Sequence, residues 1–61
     1  SNRELEVMKL IAGGESLISI GQRLGLSPST VTTYRARILE KMRLGSNAEL
    51  ARYALEHGLL I

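Results

Sequence analysis

The sequence has no cysteine, no tryptophan and no phenylalanine, and Tyr34 and Tyr53 are its only tyrosines. Without cysteine there is neither a disulfide framework nor a thiolate zinc site, so aliphatic packing alone must hold the fold. Two tyrosines cannot build the stacking platforms that single-stranded nucleic acid requires. No apolar run reaches the ~18 residues of a membrane span, and no basic-then-apolar leader opens the chain. A cytoplasmic domain that does not enter a membrane is expected. With 61 residues the chain lies near the lower limit of independent folding, where about 60% of the unfolded surface is buried. That leaves no room for a large catalytic cleft. No nucleophile has an evident base, and the glutamates are accounted for by helix caps and solvated faces, so neither an enzyme nor a cofactor is expected. The single histidine, His57, falls in a last helical turn, where a dipole interaction explains it better than metal binding. Period-two alternation, repeats and low-complexity tracts are missing as well, which argues against strands and linkers.

What is present is a charge pattern. Net charge is only +2, but it is unevenly placed. Residues 1–22 set Arg3 and Lys9 against Glu4, Glu6 and Glu15, a net −1, and residues 44–61 set Arg52 against Glu49 and Glu56, again −1. Between them, Arg23, Arg35, Arg37, Lys41 and Arg43 face only Glu40, a net +4 over residues 23–43. A positive block between faintly negative ends suits a polyanion site, and it equally suits a solvated basic face.

The pattern divides into four helices. Ser1-Asn2-Arg3-Glu4 reads as a capping box opening a helix over residues 2–12, with Val7, Met8 and Ile11 at helical spacing and Gly13-Gly14 as its stop. Ser16 caps a second helix over 17–24, ended by Gly25 in the left-handed region that a bulkier residue resists. Ser27-Pro28 starts a third over 28–42, with serine as N-cap and proline where its missing N–H costs nothing. Ser46-Asn47-Ala48-Glu49 repeats the capping box for a fourth over 47–57, closed by Gly58. The expected fold is all-α, a four-helix bundle.

The second and third helices are joined by only Gly25, Leu26 and Ser27, a connection short enough to force the steep crossing of a helix-turn-helix. At 100° per residue, Val31, Ile38 and Met42 of the third helix share one stripe, with Tyr34 and Arg35 at its edges. The opposite side carries Ser29, Thr32, Thr33, Ala36, Arg37 and Glu40. Short and hydroxyl-bearing side chains let a helix lie close to base edges in the DNA major groove, and arginines reach guanine or phosphate. Tyr34 could place its hydroxyl on a phosphate, although a core-edge tyrosine with a wet tip is the commoner situation. Arg35 could cover apolar surface with its stem and send its head toward DNA.

The run GESLISIGQRLGLSPSTVTTYRARILEKMRLGSNAELARYALEHGLL resembles the LuxR-type helix-turn-helix of the NarL/FixJ response-regulator class, in the branch whose third helix reads VxxYRxR. RELEVMKLIAGG in the first helix, Ile20 and Leu24 in the second, and SNAEL with GLL at the end complete the match. The resemblance covers essentially the whole chain and puts the helix-turn-helix at Leu17 to Ala36. It implies sequence-specific double-stranded DNA binding as a dimer in transcription regulation, residues 1–61 being the C-terminal effector part of a longer regulator with a receiver domain. It further implies base reading by Thr32, Thr33 and Ala36, backbone contact by Thr30 and Lys41, and phosphate contact at Ser46 and Asn47. Ser29, Tyr34, Arg35 and Arg37 complete the expected DNA-binding set.

Two departures from the family pattern stand out. Thr32 replaces a common lysine. Leu17-Ile18-Ser19-Ile20-Gly21 replaces the usual Asn-Lys-Glu-Ile-Ala, so two apolar residues stand near an expected surface. They either pack beside the first helix or meet a partner such as RNA polymerase, which would make the domain a protein-interaction module. On the fourth helix the apolar residues spread over roughly 220°, about twice what one core contact needs. Ala48, Arg52, Tyr53 and Leu55 are the expected homodimer interface; the alternative is that Leu59, Leu60 and Ile61 fold back over this face.

Overall fold

A computed structural model, which describes residues 2–59, contains α1 (Asn2–Ala12), α2 (Leu17–Leu24), α3 (Pro28–Met42) and α4 (Asn47–Glu56), with no strand among them. α1 is the central element and packs against the other three, while α2 also packs along α3. The Ser1 part of the first capping box lies outside the described residues. The fourth helix stops one residue earlier than expected: His57 leaves helical geometry with φ −103° and ψ 11°, while its N–H still donates to the Tyr53 carbonyl.

The core is aliphatic throughout. Val7, Met8, Ile11 and Ala12 of α1 meet Ile20 of α2, Val31, Ile38 and Leu39 of α3, and Leu50 and Ala54 of α4; no polar side chain is buried among the described residues. Leu39 widens the buried stripe expected for α3 and joins the core cluster. Met42 is only partly buried, and Tyr34 packs against the same cluster from its edge. On α2 the two unusual apolar residues part company: Leu17 packs onto the core, whereas Ile18 is 63% exposed. Leu59 also packs onto the core, while Leu55 on the outer side of α4 stays 71% exposed; Leu60 and Ile61, the rest of the expected fold-back, lie outside the described residues.

Local chemistry sets the helix ends. Ser16, Ser27 and Ser46 each accept a hydrogen bond from the backbone N–H three residues on, satisfying donors that a helix start leaves open. The last capping box is displaced by one residue, since the Glu49 carboxylate accepts from the Gly45 N–H instead of the Ser46 N–H. At the end of α2, Gly25 adopts φ 69° and the Leu26 N–H donates to the Gly21 carbonyl at 2.9 Å. α3 ends in the same six-residue closure, from Leu44 N–H to the Leu39 carbonyl at 2.9 Å, but there the left-handed residue is Arg43, with φ 57°. A side chain in that region costs about 1 kcal/mol that glycine would not.

The tightest joint lies between α2 and α3. Gly21 is buried in mid-helix, and a β-carbon built on it would stand 2.5 Å from the Leu26 carbonyl oxygen. Only a residue without a side chain lets the turn fold back this closely, which fixes how α3 leaves α2.

Candidate nucleic-acid interface

α3 presents a continuous exposed face. Ser29, Thr30, Thr32, Thr33, Ala36, Arg37, Glu40 and Lys41 are all exposed, while Tyr34 and Arg35 are half-buried at its border. At its start, the Ser27 hydroxyl accepts from the Thr30 N–H at 3.2 Å and lies 3.1 Å from the Ser29 hydroxyl and 2.9 Å from that of Thr30. One turn further on, the hydroxyls of Thr32 and Thr33 donate to the carbonyls of Pro28 and Ser29 at 3.0 and 3.1 Å. Helical threonines often bond back in this way.

The expected cations divide into paired and unpaired. The Lys41 ammonium donates to both carboxylate oxygens of Glu4 at 2.9 and 3.2 Å, joining the exposed face of α3 to α1. Arg23 is held by Glu15 through Nε at 3.0 Å and a terminal nitrogen at 2.8 Å. Arg35 donates from Nε to Oδ1 of Asn47 at 2.7 Å. This brings two expected DNA-contacting residues together across the α3–α4 junction and fixes Asn47 at the start of α4. Ser46, beside it, spends its hydroxyl as the N-cap. Among the described residues, Arg35, Arg37 and Arg43 make no ion pair, so they carry the block's remaining charge, and Arg37, after Lys41, also helps to lower the Glu4 carboxyl. The Glu15–Ser19–Arg23 ladder could have been read from its four-residue spacing. Nothing in the sequence signals a Glu4–Lys41 pair 37 positions apart.

These contacts hold both carboxyls below their ordinary range. Hydrogen bonding from Lys41 lowers Glu4, and hydrogen bonds from Ser19 and Arg23 lower Glu15. A carboxyl depressed in the folded state stabilises the fold above its unfolded value and loses that contribution as pH falls through the folded value. Thermal unfolding of the parent is therefore expected to ease as pH drops below about 4.5, and Glu4→Gln with Glu15→Gln should flatten that decline. An unchanged acid profile in the double variant would show that neither pair contributes. Both pairs are solvent-screened, so the effect is small.

On α4 the expected interface residues do not share one side. Leu50 and Ala54 are buried against α1, and Ala48, Arg52 and Leu55 lie exposed within an arc of about 60°. Tyr53 stands about 160° from Leu55 at 100° per residue, with its ring stacked on His57 at 4.0 Å between centroids. A helix-to-helix contact centred on Leu55 would leave Tyr53 on the far side of α4. No helix among the described residues is long and apolar enough to cross a membrane.

A short glycine turn between two packed helices, the second exposing a hydroxyl-rich face flanked by arginines, defines a helix-turn-helix domain of the DNA-binding class. The family model described as "Bacterial regulatory proteins, luxR family" matches residues 1–54, and the chain belongs to that family. Its relatives include the response regulators GacA of Pseudomonas aeruginosa, 45% identical over 60 residues, and GacA of Pseudomonas viridiflava, 43% identical over 60; each alignment covers 98% of this chain and 28% of the relative. Response regulator UvrY of Escherichia coli K12 is 41% identical over 59 residues, or 97% of this chain and 27% of that protein. The chain thus spans little more than a quarter of the length of these relatives. Membership carries the coarse function, DNA binding in transcription regulation.

Proposed function

We propose that this domain binds double-stranded DNA sequence-specifically with α3 in the major groove, as a dimer, and that it is the C-terminal, DNA-reading part of a cytoplasmic response regulator with a receiver domain. The observation that carries the reading is the exposed face of α3: short side chains at Ser29, Thr32, Thr33 and Ala36 let the backbone approach base edges, while Arg37 and Lys41 flank them. Thr30, Ser46 and Asn47 sit at helix starts, where phosphate is favoured.

Affinity for a duplex should fall with salt, with a log–log slope of about −0.9 per phosphate neutralised. Lys41→Ala should weaken binding to all sequences alike and flatten that slope by about one contact, whereas Thr33→Ala should change which sequences are preferred. If Thr33→Ala alters neither affinity nor preference, α3 is not the reader.

The dimer reading assigns Ala48, Arg52 and Leu55 to a two-fold contact between α4 helices, which sets two recognition helices about 34 Å apart in successive major grooves. Leu55, 71% exposed, is its apolar centre. Leu55→Glu should abolish cooperative binding to a two-half-site duplex and leave single-site affinity intact, while Tyr53→Glu should keep cooperativity. Undiminished cooperativity in Leu55→Glu removes α4 from the interface. The exposure of Ile18 supports a second reading, a protein contact through α2, for instance with RNA polymerase. Such binding would be nearly independent of salt and lost in Ile18→Glu.

A further inference from the structure

The hydrogen bonding of α3 restricts what its reading face can offer. A threonine hydroxyl has one proton to donate and two lone pairs. In Thr32 and Thr33 that proton is directed inward, to the carbonyls of Pro28 and Ser29. What remains toward solvent is the γ-methyl group and a lone pair. Ala36 falls between the two threonines, about 40° from Thr32 and 60° from Thr33 around the helix, and adds a third methyl. The neighbouring Ser29 hydroxyl is already joined to that of Ser27 at 3.1 Å. All four residues are exposed, so the part of the face formed by Thr32, Thr33 and Ala36 is rich in methyl groups and poor in donors. Arg37, on the flank beyond Thr33, is the nearest strong donor.

Guanine shows only acceptors, N7 and O6, on its major-groove edge, so reading it requires a donor. Thymine shows a methyl group, and its adenine partner shows an amino donor beside N7. Resting on the DNA-reading function above, we propose that Thr32 and Thr33, with Ala36 between them, select thymine methyls through their own methyl groups and leave guanine to Arg37. A lone pair on either threonine is then free to accept from an adjacent adenine or cytosine amino group.

Isosteric substitution separates the methyl from the hydroxyl. The probe is the duplex that the parent domain enriches from a random-sequence pool, measured at one fixed salt concentration. Thr32→Val and Thr33→Val keep shape and methyl and lose the hydroxyl; both should bind within about two-fold of the parent. Thr32→Ser and Thr33→Ser keep the hydroxyl and lose the methyl; each should lose roughly four-fold, the worth of one buried methyl-sized group. Uracil in place of thymine at the contacted positions should cost a similar factor, of about four, in the parent and little in the matching serine variant. A ten-fold loss in either valine variant, on the order of 1.4 kcal/mol, would show that the hydroxyl proton reads a base and would overturn the proposal. Indifference to both serine and uracil would overturn it as well. If the parent enriches no sequence at all, it is DNA reading itself that fails, a result distinct from either.

Discussion

Ile20→Ala is expected to leave the domain largely unfolded near body temperature, while Ile18→Ala, two residues away, changes almost nothing. Ile20 is fully buried among side chains from α1 and α3, and truncating such a residue removes its transfer energy and leaves a cavity, about 2–5 kcal/mol together. At about 0.05–0.15 kcal/mol per residue, a chain of this length has roughly 3–9 kcal/mol in total. A loss near the middle of the cavity range lowers the melting temperature by roughly 14–28 °C in so small a domain. Ile18 is 63% exposed, and an exposed isoleucine changed to alanine in a helix stays within about 0.5 kcal/mol and gains propensity. Melting curves of the two variants, followed by circular dichroism, check this directly. Equal shifts would mean that α2 does not insert Ile20 into the core.

Gly21→Val should be about as damaging, by a different route. The new β-carbon would lie 2.5 Å from the Leu26 carbonyl oxygen and 3.8 Å from a methyl of Val31. The first contact is about 1 Å shorter than ordinary van der Waals distance, and a carbonyl cannot rotate away as a side chain can. The turn must open, and the overpacking costs about 3 kcal/mol. Gly21→Ala meets the same oxygen, but alanine regains up to ~1 kcal/mol of helix propensity, so its loss should be clearly smaller. Urea unfolding midpoints for the three proteins provide the measurement, with DNA affinity of the folded fraction as a second. The turn that must move carries Ser27, the cap of α3, so folded Gly21→Val should also bind DNA poorly. A valine variant as stable as the parent would refute the close joint.

Most of the helix pattern was legible in the sequence because its punctuation is local. Ser16, Ser27 and Ser46 cap the helices they were expected to cap, and Gly25 takes the left-handed conformation its position required. The outer face of α3 was legible for the same reason, since helical periodicity decides it once Val31 and Ile38 are placed inside. The unforeseen features depend on tertiary approach. Leu39 joins the core cluster only once the helices pack, and Lys41 meets Glu4 only after α1 and α3 have docked. Gly21 was a partial signal: a glycine in mid-helix usually marks a close backbone contact, but the sequence does not say with what. On α4, counting 100° steps sets Tyr53 and Leu55 on different sides of the helix without any structure.

The pairing of Lys41 and Arg23 also bears on how the domain moves through a genome. Residues 23–43 count +4, and Glu4 and Glu15, both outside that block, answer two of its cations from within the molecule. Until phosphate displaces Glu4 and Glu15 from these cations, bulk DNA therefore meets about half the nominal charge. Because retention on anonymous sequence is governed almost wholly by phosphate neutralisation, such a surface lets go of it quickly. On the proposed reading by α3, the vast excess of irrelevant sites then sequesters fewer molecules, and occupancy of the right site depends more on the fit of α3 to bases than on charge.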